Sequence, residues 1–192
     1  MVIPSLDKKE KRDIEGELRA WFRGAGRVVV VGVGNPIRMD DFVGVKIVRD
    51  LRGKVDSDRV MLIEAETVPE NYMQQIADYK PTHILIIDAA IQGLKPGGSR
   101  LINPEQLTNY PAFSTHMLPL RMFCEYLEAT TVKMGLLIIE PEKTDFGEGI
   151  TSKVETASRT IHEMLLKLLS LNFSSFWVKQ AKTISSRYDL RS

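Results

Sequence analysis

The sequence predicts a three-layer α/β fold, a mainly parallel, twisted sheet with helices on both faces. Two patterns carry this. Strand-like apolar runs alternate with helix-period segments along the chain, and the first and third runs are almost continuously apolar, as in strands buried on both faces. The length agrees, since 192 residues can enclose one sizeable core.

The elements follow in order. Residues 7–23 read as a charged helix in which Ile14, Leu18 and Trp21 recur at helical spacing beside Phe22. Arg27–Val33 is a strand running into glycines. From Phe42 to Leu51 the period changes, and Val43, Ile47 and Leu51 share a helix face with Val48 alongside. Val60–Ala65 is a second strand. Pro69–Tyr79 is a helix whose proline sits in the first turn, where no donor is lost. Thr82–Ala90 is the third strand, and the turn Leu94-Lys95-Pro96-Gly97-Gly98 leads to a short segment at Ser99–Ile102. A helix over Met117–Glu128, a strand over Val132–Glu140 and a helix over Ser152–Leu169 complete the set. Ser152 and Glu155 have capping-box spacing.

The chain divides into an N-terminal helix packed on the domain (1–26), the α/β domain (27–170) and a C-terminal extension (171–192). In the extension Phe173, Phe176 and Trp177 would share one helix face, followed by Lys179, Lys182, Arg187 and Arg191. That face is expected to pack on its own domain, with the segment extending the last helix or starting another. The two terminal extensions are also the candidate segments for homo-oligomer formation.

Composition excludes several classes. A formal net charge of +1 provides no global field for nucleic acid or an anionic membrane. No stretch is long and uncharged enough for membrane insertion, and Met1–Arg12 lacks the apolar core of a signal peptide, so the cytoplasm is the expected compartment. The single cysteine, Cys124, lies among Met122, Phe123 and Leu127 and reads as a small core residue.

In open α/β sheets ligands bind beyond the carboxyl ends of the strands. The first strand ends in Gly32-Val33-Gly34-Asn35-Pro36-Ile37-Arg38-Met39-Asp40-Asp41. Here the glycines admit a tight turn and a close ligand. One aspartate suffices to cap the next helix, so the second is available for another role. The third strand ends in Asp88, directly after four aliphatic residues, where a carboxylate is costly to bury without a partner. His116 precedes the Met117 helix. His83 opens its strand at the opposite end, and His162 lies inside the last helix. Asp41, Asp88 and His116 thus come from loops on one inferred sheet edge, a mixed oxygen and nitrogen set suited to zinc, nickel, cobalt or manganese. No P-loop, paired-cysteine motif or third glycine at dinucleotide spacing appears, so no nucleotide is expected.

Five segments in order resemble one family. Gly32-Val-Gly-Asn-Pro-Ile-Arg-Met-Asp-Asp-Phe-Val-Gly44 is similar to the GxGNxxxxDDxxG signature of the [NiFe]-hydrogenase maturation endopeptidases. Thr67-Val-Pro-Glu-Asn71, Ile87-Asp88-Ala89, Thr115-His116-Met-Leu-Pro119 and Gly135-Leu-Leu-Ile-Ile-Glu-Pro141 are the other matches. The resemblance spans roughly residues 27–170. It implies a phosphorylase/hydrolase-like fold and an enzyme that clips the C-terminal extension from the hydrogenase large-subunit precursor after nickel insertion. It also implies that Asp41, Asp88 and His116 bind metal, with Asp41 and Asp88 catalytic and Gly34, Asn35, Asp40 and Glu64 contacting substrate. The nickel is supplied by the precursor; other divalent ions such as zinc or cadmium fit the same ligands. The chain departs from the family pattern after the second strand, where Glu64-Ala65-Glu66 replaces Asp-Gly-Gly and Glu64 keeps the acid. Hydrolysis is open to two routes, metal polarisation of the carbonyl or a carboxylate base acting on water.

Two other functions share features with this sequence. A nickel- or precursor-binding chaperone on the same fold would bind the immature subunit without shortening it. A peptidyl-tRNA hydrolase also ends its first strand in Gly-x-Gly-Asn-Pro. That enzyme needs a histidine-asparagine pair shortly afterwards and a basic surface, whereas this chain has Asp40-Asp41 and a net charge near zero.

Overall fold

The computed structural model describes residues 13–55, 58–109, 117–128 and 132–188; of these, 107–109, 117–119, 128 and 171–188 are described by their backbone only. Helix α1 (Ile14–Trp21) starts where the Asp13 carboxylate accepts the Gly16 N–H at 3.1 Å. Strand β1 (Val28–Val33) leads through a 3-10 turn at Met39–Phe42 into α2 (Val43–Leu51). Then come β2 (Val60–Glu66), a 3-10 turn at Pro69–Tyr72, α3 (Met73–Tyr79) and β3 (His83–Ala89). Strand β4 (Ser99–Ile102), helix α4 (Met117–Glu128), strand β5 (Lys133–Ile139) and helix α5 (Ser152–Tyr188) complete the chain. The expected start of the first helix at residue 7 lies outside the described residues. The last helix continues into the C-terminal extension, its backbone staying helical to Tyr188, while the side chains of Phe173, Phe176 and Trp177 lie outside what the structure describes.

The sheet has five strands in the order β2-β1-β3-β5-β4. β1 pairs in parallel with β2 and β3, and β3 with β5; only the short edge strand β4 is antiparallel. All carboxyl ends of the parallel strands therefore share one edge. Strand alternation sorts the core into two sides. Val28, Val30, Leu85, Ile87, Leu137 and Ile139 face α1, α2 and α5, while Val29, Val31, Ile84, Ile86, Leu136 and Ile138 face α3 and α4. Cys124 is buried in the second cluster with Phe123 and Leu127, as its neighbours in sequence suggested. Among the described residues no helix is long and apolar enough to cross a membrane.

Glycine sets how closely α2 approaches the sheet. A Cβ on Gly44 would collide with the carbonyl oxygens of Ile87 and Val33, and one on Gly32 with the main chain of Gly44 and Val45. The start of α2 therefore lies directly on the carboxyl ends of β1 and β3. At the opposite edge the Trp21 indole occupies the space over Gly135, and Lys133 Nζ donates to the Trp21 carbonyl at 2.7 Å. His83 sits edge-on to Trp21, with ring centroids 5.1 Å apart.

Burial, reinforced by the Lys133 ammonium, lowers the His83 pKa below its ordinary 6.5. The unfolded chain therefore binds a proton more readily than the folded one. The stability this histidine contributes is complete above its unfolded pKa and declines as pH falls through that value toward the lower folded one. In His83→Gln, the urea midpoint should accordingly fall less than the wild-type midpoint between about pH 7 and pH 5. Equal slopes in the two proteins would remove His83 from the pH response.

Candidate active site

The loop after β1 is shaped by its own main chain. Gly34 has φ 144°, and a Cβ there would overlap the Asp41 carbonyl, so only glycine lets the turn fold back on the strand end. The Gly34 N–H donates to the Glu66 carbonyl at 2.9 Å. Asn35 closes an Asx turn, its Oδ1 accepting the Ile37 N–H at 3.1 Å, and its own N–H donates to Asp41 Oδ2 at 3.0 Å. Gly34 and Asn35, both expected to contact substrate, thus also build the loop and orient Asp41. Of the three non-glycine residues with positive φ among those described, Met39 (φ 44°) and Glu66 (φ 49°) border this loop, so left-handed strain gathers at this edge.

Asp41 is 2% exposed and Asp88 1% exposed. Asp88 follows Ile87, whose carbonyl abuts Gly44, and Asp41 lies one helical turn before Gly44. Asp88 thus lies at the end of β3, and Asp41 in the 3-10 turn between β1 and α2, at the same carboxyl edge of the sheet. Asp88 Oδ1 accepts the Ala89 N–H at 2.8 Å. The third member of the expected metal set, His116, lies outside the described residues, directly before α4. Among the described residues, no three histidine, cysteine, aspartate or glutamate side chains form a group that could hold a metal.

Asp40 is fully buried and engaged within the chain. Its Oδ2 accepts from the Glu142 N–H (2.8 Å), the Lys143 N–H (2.9 Å) and the Thr151 hydroxyl (2.9 Å), and its Oδ1 from the Thr151 N–H (2.7 Å). It does not cap the helix that follows it, because its oxygens are taken by donors from the segment after β5 and the start of α5. The same contacts change the start of α5. Thr151, not Ser152, is its N-cap: the Thr151 carbonyl accepts the first helical bond from the Glu155 N–H at 2.8 Å. With the Glu155 N–H bonded to the Thr151 carbonyl and the helix begun one residue earlier, the expected Ser152–Glu155 capping box does not form. Glu155 instead pairs with Arg159 at 3.0 Å and Lys46 at 3.8 Å.

Glu64 stands apart from these acids. Its strand position matches Val60 and Leu62, so it faces α2, where it pairs with Arg49 at 2.8 Å and Arg52 at 3.1 Å. Asp88 shares its parity with Ile84 and Ile86 and faces the α3–α4 side. Glu140 has a role at this edge that the sequence reading did not assign. It is 6% exposed, and its Oε2 accepts the Gln92 N–H (2.6 Å) and the Leu94 N–H (3.2 Å), fastening the loop that follows Asp88. The signal was present in the sequence: like Asp88, it is an acid placed directly after a buried aliphatic strand.

Removing the Asp40 carboxylate leaves three N–H groups and a hydroxyl, all in part-buried contacts, without their acceptor. Hydrogen bonds to a charged group contribute about 1.5–3 kcal/mol each, and they do not add fully when shared on one carboxylate. Asp40→Ala should therefore lose about 3 kcal/mol or more of stability in a denaturant titration. A loss below about 1 kcal/mol would show that the contacts are not structural.

A family profile described as hydrogenase maturation protease matches residues 45–168. A putative hydrogenase maturation protease of Methanocaldococcus jannaschii is 31% identical over 156 residues, which is 77% of this chain and 91% of the relative. The hydrogenase 3 maturation protease of Escherichia coli K12 is 28% identical, covering 71% of this chain and 87% of its own. The crystal structure of a [NiFe] hydrogenase maturation protease, HycI, from Thermococcus kodakarensis superposes with a TM-score of 0.74 at 28% identity, covering 80% of this chain and 99% of that one.

Proposed function

The chain belongs to the hydrogenase maturation protease family, and from that premise we propose that it is the endopeptidase that removes the C-terminal extension of a [NiFe]-hydrogenase large-subunit precursor once nickel has been inserted. The observation that carries this reading is the pair of buried carboxylates at the carboxyl edge of the sheet, Asp88 at the end of β3 and Asp41 in the turn between β1 and α2, each accepting a main-chain N–H.

In this reading nickel is the precursor's cargo, and Asp41, Asp88 and His116 are the groups that recognise it. Carboxylate oxygens and an imidazole nitrogen suit nickel, and zinc or cadmium can take the same donors. Without thiolates or a closed ligand set, such a site holds free metal less firmly than a structural zinc site does. Hydrolysis of the peptide bond requires a group that takes a proton from the attacking water, and Asp41 and Asp88 are the carboxylates placed for it. The reaction is placed in the cytoplasm, and a net charge of +1 offers no general attraction for nucleic acid.

Asp41→Asn and Asp88→Asn keep side-chain shape and remove the charge. Each should slow shortening of the nickel-loaded precursor, read by intact mass, by about 100-fold or more, with melting temperatures close to wild type. Nickel-free precursor should remain at full length with the wild-type enzyme. Shortening at the wild-type rate by both variants would exclude these residues from the reaction, and efficient cutting of nickel-free precursor would exclude metal recognition.

A further inference from the structure

The carboxyl edge of the sheet carries a rim that the carboxylates do not explain. Ile37 is 54% exposed and Phe146 is 77% exposed, although both lie in segments held firmly by the main chain. The Gly147 N–H donates to the Ile37 carbonyl at 2.9 Å, and the Met39 N–H to the Gly147 carbonyl at 3.0 Å. Arg38 and Gly147 form an isolated parallel bridge. Four hydrogen bonds from Glu142, Lys143 and Thr151 to the buried Asp40 fix the two ends of the same segment. Apolar side chains on a mobile loop can turn away from water. Here the backbone holds them outward.

Between them lies a cation. The Arg38 guanidinium carbon sits 5.0 Å from the Phe146 ring centroid, in cation–π range. Its Nε is buried without a hydrogen-bond partner, and among the described residues no carboxylate is paired with it. Yet Asp145 and Glu148 lie close in sequence to the phenylalanine on which it is stacked. Arg38 is also one turn from the site, because its carbonyl accepts the Asp41 N–H at 3.0 Å. A planar guanidinium stacked on an aromatic ring and flanked by an aliphatic side chain matches one kind of partner. That partner is an extended peptide that lays an apolar side chain on the rim and offers a carbonyl or carboxylate oxygen to the fork.

We propose that Ile37, Arg38 and Phe146 form the dock on which the precursor polypeptide is held beside Asp41, with Arg38 and Phe146 determining which precursor is accepted. This rests on the function proposed above, since it supplies the peptide. Arg38 and Phe146 are positioning residues, and their effect falls on substrate affinity. The backbone clasp uses main-chain groups and Asp40, so truncating these two side chains leaves it intact.

The experiment measures kcat and KM for nickel-loaded precursor with wild type, Arg38→Ala, Arg38→Lys and Phe146→Ala. Precursor affinity is measured in parallel with the same changes in an Asp88→Asn background. Arg38→Ala and Phe146→Ala should raise KM and weaken binding by about tenfold or more, with kcat within about twofold of wild type and melting temperature unchanged. Arg38→Lys should recover only part of the loss, because an ammonium keeps the charge and not the planar fork. Unchanged KM and affinity in both alanine variants would overturn the dock while wild-type cleavage leaves the function standing. A fall in kcat alone would likewise overturn it. If wild type binds the precursor through Arg38 and Phe146 but never shortens it, the dock stands and the protease reading falls.

Discussion

The Asp40 carboxylate accepts four hydrogen bonds in a place that water does not reach, and much of this molecule's functional edge depends on them. A buried carboxylate without partners costs several kcal/mol. With every donor supplied, it becomes a rigid junction between three pieces of chain: the loop after β1, the segment after β5 and the N-cap of α5. A shift in any of them would leave the charge under-satisfied. The neighbouring Asp41 therefore inherits a fixed position, and so does the segment that carries Phe146.

Close packing supplies the second constraint. α2 can lie on the ends of β1 and β3 because Gly32 and Gly44 present no side chains there, and the turn at Gly34 lets the Asp41 carbonyl pass where a Cβ would stand. Beside this contact Met39 and Glu66 are held in left-handed conformations that are unfavourable for residues with a Cβ. Glu140 serves the β3 side as Asp40 serves the β1 side, binding two main-chain N–H groups of the loop that follows Asp88. Two buried acids thus hold the architecture, while Asp41 and Asp88 each accept a main-chain N–H close in sequence.

The opposite edge of the sheet is organised differently. Trp21 fills the space over Gly135, His83 packs against the indole, and Lys133 ties the end of α1 to β5. These are contacts of stability, remote from the carboxyl ends. The sheet separates the two tasks in this way because its four parallel strands all end on one edge, where the turns that follow them gather.

The sequence by itself determined the order of elements and the location of Asp88, because both are local properties. A continuous apolar run marks a buried strand, a change to helical period marks what covers it, and an acid at the end of such a run is placed by covalent adjacency. The tertiary structure alone decided what each acid does. The donors to Asp40 lie 102 to 111 positions away and have no signature near Asp40. The capping-box spacing at Ser152 and Glu155 was real, yet the helix begins one residue earlier, with the Glu155 N–H on the Thr151 carbonyl and the Thr151 N–H on a distant carboxylate. Glu64 could not be assigned to a face from β2 alone, since both alternating sets of that strand are apolar; the pairing with β1 and the packing of α2 settle it on the side of Arg49 and Arg52. Ile37 and Phe146 are unremarkable loop residues in sequence and become one rim only where the Arg38–Gly147 bridge joins their segments. Local pattern fixes where a side chain sits along the chain, and long-range closure fixes which partners reach it.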